Sequence, residues 1–185
     1  MASPSVDPLG WGVLRRHLDR APELGAGVYV AEGAVLVGRV VLGDHASVWP
    51  GVVIRADDGV VRVGPSTNVQ DGAVVHGDAE YPVAIGARVT IGHAAVVHGC
   101  TVEDDALIGI GATVLDRAVV GRGAVVAAGA LVTEGFSVPA GALVRGVPAR
   151  VVGERSAALA ARAAETVAAY ERLRASYLNE VPHGA

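Results

Sequence analysis

The sequence predicts an all-β fold: a parallel β-helix of about seven coils, followed by one C-terminal α-helix. Aliphatic residues recur every six positions over most of the 185-residue chain, and a small residue stands at a fixed place in most six-residue units. The composition is 51% hydrophobic but only 4% aromatic, with 25 glycines. A narrow, repetitive interior suits this composition better than a globular core built on large aromatic side chains.

Composition and charge also exclude several classes of protein. No run reaches the ~18–20 uninterrupted apolar residues of a membrane-spanning helix. The first ten residues lack the basic region and apolar run of a signal peptide. A net charge of −4 argues against binding to nucleic acid or an anionic membrane. The single cysteine, Cys100, cannot form a disulfide within the chain and fits a reducing compartment, so we expect a cytoplasmic protein.

Residues 1–27 show no repeat and are predicted to form an extended N-terminal arm. Within the arm, the segment from Trp11 to Leu18 is compatible with a helical turn or two. Pro22 and the glycines near it indicate an extended entry into the repeat region.

Residues 28–152 carry the repeat and are predicted to form the β-helix. Strand alternation has period two and a helix 3.6, so a period of six fits three short strands per coil of a triangular prism. The resemblance to the hexapeptide-repeat family implies that the β-helix is left-handed, against the usual right-handed crossover. The first position of each unit is aliphatic and is predicted to point inward: Val30, Leu36, Leu42, Val48, Ile54, Val63, Val69, Val75, Ile85, Ile91, Val97, Val102, Ile108, Val114, Val120, Val126, Val132, Val138 and Val144. The fifth position is usually alanine, predicted to lie at the corners: Ala34, Ala46, Ala73, Ala95, Ala106, Ala112, Ala118, Ala124, Ala130 and Ala142.

Residues 153–185 are predicted to contain an amphipathic helix that packs along the prism. Apolar residues recur there at steps of three and four, which is the spacing of one helix face: Leu159, Ala163, Val167, Tyr170, Leu173 and Tyr177. Ser156 is a suitable N-cap, and Pro182 lies beyond the end of the pattern.

The repeat changes length at three places. Ile54 to Val63 is nine residues, Val75 to Ile85 is ten, and Val97 to Val102 is five. The two longer units contain RADDG (55–59) and HGDAEYP (76–82), and we expect irregular backbone at both. Loops held by a rigid scaffold often carry functional residues, although insertions that merely decorate the prism are the alternative.

Counting three units per coil brings polar residues into two columns. His76 and His98 each follow a unit head on one face, below Arg55, and are 22 residues apart, one coil plus the four-residue insertion. Asp71 and His93 stack in a second column, two positions after the heads of the preceding face. Because side chains alternate along a strand, His76 and His98 are expected to point outward as direct neighbours.

Three histidines with one open position suit a catalytic metal, with zinc, iron and cobalt as candidates. His93 lies on another part of the triangular section, so we expect it to join His76 and His98 only when a second chain supplies it. A cyclic homotrimer would form three such sites. For His17, His45 and His183 we favour structural roles.

The motifs RADDG (55–59), TNVQDGAVVH (67–76), VTIGHAAVVHGCTVEDDALIGIGATVLD (89–116) and GALVRGVPARVV (141–152) resemble the γ-class carbonic anhydrase family. The resemblance covers roughly residues 28–152, and the C-terminal helix is compatible with it. It implies that His76 and His98 of one subunit and His93 of its neighbour bind the metal across a trimer interface.

The resemblance also implies roles for residues around that metal. Gln70 and Asn68 match side chains that orient metal-bound water and bicarbonate. Arg55 matches an arginine that pairs across the interface with an acidic residue, here Asp57 or Asp71, and a purely structural salt bridge is the alternative. Asp58 is expected to lie in the layer of residues that surrounds the metal ligands. Tyr170 matches a tyrosine that reaches towards the pocket, although its helical spacing equally indicates ordinary packing.

The implied function is reversible hydration of carbon dioxide to bicarbonate by a metal-bound hydroxide at trimer interfaces. The most active relatives transfer the proton through a glutamate on an acidic loop; the loop here is short, and neither Asp78 nor Glu80 can be assigned to that step. Two alternatives stay open. One is a hexapeptide-repeat acyltransferase that uses a coenzyme A thioester. The other is a catalytically silent trimeric module that keeps the metal site.

Overall fold

A computed structural model describes residues 12–180 in full and the backbone of residues 5–6. Within these residues the chain forms short strands followed by one long helix, α1 (Ala157–Glu180). The strands, in chain order, are β1 (Ser5–Val6), β2 (Val13–Arg15), β3 (Glu23–Leu24), β4 (Tyr29–Val30), β5 (Val35–Leu42), β6 (Ser47–Val48), β7 (Val53–Val63), β8 (Asn68–Val69), β9 (Val74–His76), β10 (Val83–Ile85), β11 (Thr90–Ile91), β12 (Val96–His98), β13 (Thr101–Val102), β14 (Leu107–Ile108), β15 (Thr113–Val114), β16 (Val119–Val120), β17 (Val125–Val126), β18 (Leu131–Val132), β19 (Ser137–Val138), β20 (Ala142–Arg145) and β21 (Arg150–Glu154).

The strands form the three faces of a left-handed β-helix of about seven coils, as predicted. Face one contains β2, the first halves of β5 and β7, then β9, β12, β15 and β18. Face two contains β3, the second halves of β5 and β7, then β10, β13, β16 and β19. Face three contains β4, β6, β8, β11, β14, β17 and β20 as parallel rungs, with β21 added antiparallel to β20.

The core of the prism is the predicted column of aliphatic side chains. The inward position of every unit from Val30 to Val144 is at most 4% exposed, and the alanines at the fifth position are buried at the corners. Successive coils therefore stack aliphatic on aliphatic, so that apolar burial stabilises the fold along its whole length. Because this core is continuous, polar residues on the outer surface are held on a rigid frame.

The long unit at RADDG lies within a strand, but its pairing is irregular, which confirms the expected irregular backbone at this point. Residues 55–59 belong to β7, which runs around a corner of the prism and pairs with β5 on either side of residues 57–60. Gly38, at a φ of 77°, makes the turn possible, because a Cβ there would collide with the backbone oxygen of Ala56. The expectation is confirmed for residues 77–82, which connect β9 and β10 without forming a strand.

The N-terminal segment contributes a rung rather than a helical turn. Residues 13–15 form β2, whose residues pair in parallel with Val35, Leu36 and Val37 of β5. The prediction of a helical turn is therefore wrong for this stretch, because the open edge of the first coil offers backbone partners that a short helix lacks. Trp11 lies outside the described residues.

Helix α1 packs on face three and is held there by aromatic side chains. Ser156 caps its start, since the Leu159 amide donates to the Ser156 hydroxyl at 3.2 Å. Trp49 contacts Tyr29, Tyr170 and Tyr177, with ring centroids 5.1, 5.1 and 5.5 Å apart. Of the predicted apolar stripe, Ala163 is buried and Leu173 is 44% exposed. In the described part of the chain no helix is long and apolar enough to cross a membrane.

Candidate metal centre

Two histidines lie side by side on face one. Strands β7, β9 and β12 pair in register so that Arg55 is opposite His76 and His76 is opposite His98, which confirms the predicted column. The Nδ1 atom of His76 lies 2.8 Å from Nε2 of His98, and the ring centroids are 4.8 Å apart. Two nitrogens at this distance share one proton in the metal-free chain, and a cation bound by both competes with that proton.

The ring of His98 is held from behind by Asp116, a residue that the sequence interpretation missed. The Nδ1–H group of His98 donates to Oδ1 of Asp116. Because a carboxylate only accepts hydrogen bonds, Nδ1 carries the proton, and the lone pair of the neutral ring is on Nε2. A carboxylate behind a histidine in this way is the usual outer partner of a metal ligand.

His76 is in a setting that favours its neutral form. Burial, followed by the positive charge of Arg55 and by the charge that His98 carries when it is protonated, lowers the pKa of His76 below its ordinary value of 6.5. Arg55 itself is paired with Asp57 of the same chain. The expected contact of Arg55 with a neighbouring chain stays a prediction, as does the outer role of Asp58, which is exposed.

The carboxylates of the short acidic loop, residues 77–82, form hydrogen bonds within the loop. Oδ1 of Asp78 accepts the amides of Glu80 and Tyr81 at 3.0 and 2.7 Å, and these bonds lower the pKa of Asp78. The carboxylate of Glu80 accepts the Tyr81 hydroxyl at 2.7 Å. Both carboxylates are thus bound within the loop, and neither is assigned to proton transfer.

The second column lies at the corner that follows face three. His93 stacks on Asp71, as predicted, with the amide of Ala94 donating to the Asp71 carbonyl at 2.9 Å. Nδ1 of His93 lies 3.0 Å from Oδ2 of Asp71. A carboxylate thus lies beside Nδ1 of His93, as one does beside Nδ1 of His98, although only the His98 pair forms a hydrogen bond.

Helix α1 brings Tyr170 to this column. Its hydroxyl lies 3.4 Å from Nε2 of His93, while its ring packs edge-on against Trp49. The sequence analysis left open whether Tyr170 packs against the prism or reaches towards the histidines. In the structure its ring packs on Trp49 while its hydroxyl lies near His93. Burial, with a smaller contribution from the negative charge of Asp71, raises the pKa of Tyr170, so the phenol stays protonated and can donate.

A buried chain of amides lies beneath the helix next to His93. Gln70 and Asn68 are 4% and 1% exposed. Nε2 of Gln70 donates to Oδ1 of Asn68 at 3.0 Å, and Nδ2 of Asn68 donates to Thr90 Oγ1 at 3.0 Å. Since these bonds use the Gln70 amino group, its carbonyl oxygen is the end available to a cleft of about 370 Å³ between α1 and face three.

The two columns are separate half-sites of one chain. Within residues 12–180, no group of three or more His, Cys, Asp or Glu side chains is arranged to hold a metal ion. The donor chemistry of the half-sites nevertheless fits a metal, because each of His93 and His98 has a carboxylate close to Nδ1, which is the usual outer partner of a histidine that binds a metal through Nε2. His17 forms an isolated β-bridge with Arg20 and His45 lies in a turn, and neither stacks in either column. His183 lies outside the described residues.

Comparison with known proteins agrees with this architecture. The family model for the bacterial transferase hexapeptide (six repeats) matches residues 21–56 and 99–134. A probable carbonic anhydrase of Methanocaldococcus jannaschii is 56% identical over 127 residues, which cover 69% of this chain and 80% of that protein.

A mitochondrial γ carbonic anhydrase of Arabidopsis thaliana is 45% identical over 102 residues, 52% of this chain but only 40% of the relative's length. A crystal structure of a hexapeptide transferase family protein from Anaplasma phagocytophilum superimposes with a TM-score of 0.85 at 35% identity, covering 89% of this chain and 97% of that one. The chain belongs to the γ-class carbonic anhydrase family of hexapeptide-repeat proteins.

Proposed function

We propose that the protein is a carbonic anhydrase-like, metal-dependent lyase that catalyses the reversible hydration of carbon dioxide to bicarbonate. The metal site is shared between chains of a homotrimer, with His76 and His98 from one chain and His93 from the next. The observation that carries the proposal is the pair of half-sites: each presents imidazole lone pairs, and neither is complete alone. The relatives named as carbonic anhydrases support it.

Exposed aliphatic side chains beside both half-sites support their meeting across an interface. Ile110, whose neighbour Gly111 donates its amide to the His93 carbonyl, is 59% exposed. Val74, on the same strand as His76, is 39% exposed. Apolar surface next to polar ligands is typical of a contact with another chain, and contact between these two surfaces would bring the half-sites together.

Zinc, iron or cobalt would be held by these histidines and would supply Lewis-acid chemistry that makes water a nucleophile at neutral pH. The chain's own residues would position the reactants. The carbonyl oxygen of Gln70, fixed by Asn68 and Thr90, accepts a hydrogen bond from the attacking water and so orients it. The protonated hydroxyl of Tyr170 donates to an oxygen of bicarbonate.

The remaining site residues would set the charge next to the histidines and the approach of carbon dioxide to them. Arg55, paired with Asp57, keeps a positive charge over His76 and favours the neutral form of that ligand. Asp71 holds the ring of His93. The cleft beside Gln70 is lined mainly by aliphatic side chains such as Leu107, Ile110 and Leu159. Carbon dioxide is apolar, so this lining suits its approach better than that of a charged ion.

An acyltransferase that uses a coenzyme A thioester is the second candidate, because the matching family model and the similar solved structure are both described as transferases. Such an enzyme needs one histidine as a general base at a cleft. It gives no reason for carboxylates behind both His93 and His98 or for the facing nitrogens of His76 and His98.

The test is carbon dioxide hydration by protein purified without oxygen, with metal content measured on the same sample. We expect one metal per chain and hydration activity in the wild type. His93→Ala should lose both while keeping the β-sheet circular dichroism spectrum, and His17→Ala, at an exposed position, serves as the control.

Stoichiometric metal in His93→Ala would refute the shared site. Acetyl-coenzyme A binding without metal would favour the acyltransferase. A fully metallated trimer without hydration activity would indicate the silent structural module.

A further inference from the structure

The hydrogen bond behind His98 has a structural cause in the chain. Asp116 follows β15, one coil further along the prism than His98, and its side chain turns back towards the ring. Gly99, directly after His98, has a φ of 54°, and its amide donates to the His76 carbonyl at 3.0 Å. The backbone next to the ring is thereby tied to both histidine coils.

Glycine at this position leaves room for the carboxylate. A Cβ on Gly99 would collide with Oδ1 of Asp116 and would lie 2.8 Å from Cβ of Tyr81. The local sequence His98-Gly99 therefore does two things: it supplies the ring, and it opens the space through which Asp116 reaches Nδ1.

We infer that Asp116 is a positioning residue for metal binding, one that fixes His98 so that Nε2 faces the ion. The inference rests on the proposed function, in which His98 is a metal ligand, and deepens it. Without Asp116 the neutral ring can carry its proton on either nitrogen and can turn about its side-chain bonds. With Asp116 in place, Nε2 is aimed at the position opposite His76 before any metal arrives.

The role is distinct from that of Asp71, which lies behind His93 in the other half-site. Because His76 and His98 come from one chain, Asp116 orders two nitrogens of the same chain at 2.8 Å. It thus pre-forms the larger half of the site, so that the neighbouring chain has to add only one ligand. Pre-ordering of this kind raises affinity by reducing the entropy lost on binding.

Metal affinity of the full-length protein tests the inference. We expect Asp116→Ala to weaken zinc or cobalt binding about 10- to 100-fold in a chelator competition, as is usual for loss of an outer partner. Asp116→Asn should lose less, because its amide oxygen still accepts from Nδ1. Asp105→Asn, which removes a carboxylate from an exposed ion pair with Arg88, is the matched control and should bind as the wild type does.

Gly99→Ala provides an independent perturbation, since it displaces the Asp116 carboxylate without removing it. It should weaken binding as Asp116→Ala does. Gly135→Ala is its control: Gly135 has a φ of 65°, so alanine there is strained in the same way, but a Cβ would meet nothing within 4 Å. Comparing these two variants separates backbone strain from displacement of the carboxylate, and it remains decisive if Asp116→Ala fails to fold.

Nitrogen-15 NMR of the metal-free protein supplies a readout that does not depend on activity. We expect His98 to be protonated on Nδ1 in the wild type and to become a mixture of tautomers in Asp116→Ala. The inference is overturned if wild-type His98 is protonated on Nε2, or if Asp116→Ala and Gly99→Ala bind metal within about twofold of their controls. The proposed function fails separately, if the wild type itself binds no metal.

Discussion

His76 is the residue whose surroundings depart most clearly from those of a surface histidine. It lies beneath Arg55 and against His98, and its pKa is lowered by burial, by the charge of Arg55 and by the charge that His98 carries when protonated. The unfolded chain therefore binds a proton at His76 more readily than the folded chain does. Consequently, the stability contributed by neutral His76 is fully present above pH 6.5 and is lost as the pH falls towards the lowered pKa of the folded protein.

This sign gives a prediction for the metal-free protein. Between about pH 7.5 and about pH 5.5, the wild type should lose more stability to urea than His76→Gln, which has no proton to take up at this position. The measurement is the urea midpoint after chelator treatment at one fixed protein concentration, because assembly makes midpoints depend on concentration. Equal losses in the two proteins would show that His76 titrates as an ordinary exposed histidine.

At the same scale, the sequence predicted the histidine columns but missed Asp116. Period counting places His76, His98, Asp71 and His93 correctly, because side chains in register follow from the repeat alone. Counting from unit heads sets Leu115, not Asp116, beside His98, since the unit after Val97 is one residue short. Asp116 is 18 residues from His98, one residue beyond the shortened coil, so its side chain reaches the ring from the position next to Leu115.

At the scale of elements, the repeat predicted strands wherever six-residue units are regular, and it failed where tertiary pairing decided the structure. RADDG became part of β7 because β5 offers partners on both sides of the unpaired residues 57–60. Residues 13–15 became β2 because the first coil left an open edge. The helix was predictable from its stripe and Ser156, but the path that brings Tyr170 to His93 depends on Trp49, on another element.

Trp49 is therefore expected to control how α1 is docked. It is 6% exposed and packs with Tyr29, Tyr170 and Tyr177 in a cluster outside the main core. Trp49→Ala should cost about 3–5 kcal/mol at this contact. Amides of residues 157–180 should then exchange with solvent faster, while those of β12 and β15 stay protected. Hydrogen exchange measured by mass spectrometry distinguishes the two regions.

The matched control for that experiment is Leu173→Ala on the same helix. Leu173 is 44% exposed, so truncating its side chain should leave exchange in the helix nearly unchanged. If amide exchange in residues 157–180 were as slow in Trp49→Ala as in Leu173→Ala, α1 would be held mainly by contacts other than the aromatic cluster.

At the scale of the whole molecule, the rigid prism keeps the two half-sites apart. His76 and His98 end their strands on face one, whereas His93 lies at the corner where face three leads into face one, and the continuous stacked core fixes both positions. The sequence could predict this separation because the coil period fixes positions within one chain. The sequence could not give the number of chains in the assembly. The six-residue repeat fixes positions within one chain, but it does not determine the angle at which separate chains contact one another. Co-assembly of two different variants tests how the chains are arranged.

In a cyclic trimer every site joins the His76–His98 half of one chain to the His93 half of the next. Chains carrying His93→Ala keep the first half, and chains carrying His98→Ala keep the second. Neither variant alone should bind metal stoichiometrically. Any mixed trimer contains one junction where both intact halves meet, so random co-assembly in equal amounts should restore about one quarter of the wild-type metal content.

Mixed trimers isolated through two different affinity tags should contain about one metal per trimer, with hydration activity in proportion. Differently tagged His93→Ala chains assembled with one another are the control and should contain almost none. Were each site built within a single chain, the mixed trimers would be as empty as that control, because every chain lacks one ligand. Two metals per mixed trimer would contradict the head-to-tail arrangement, since a ring of three chains of two kinds has only one junction of the required order.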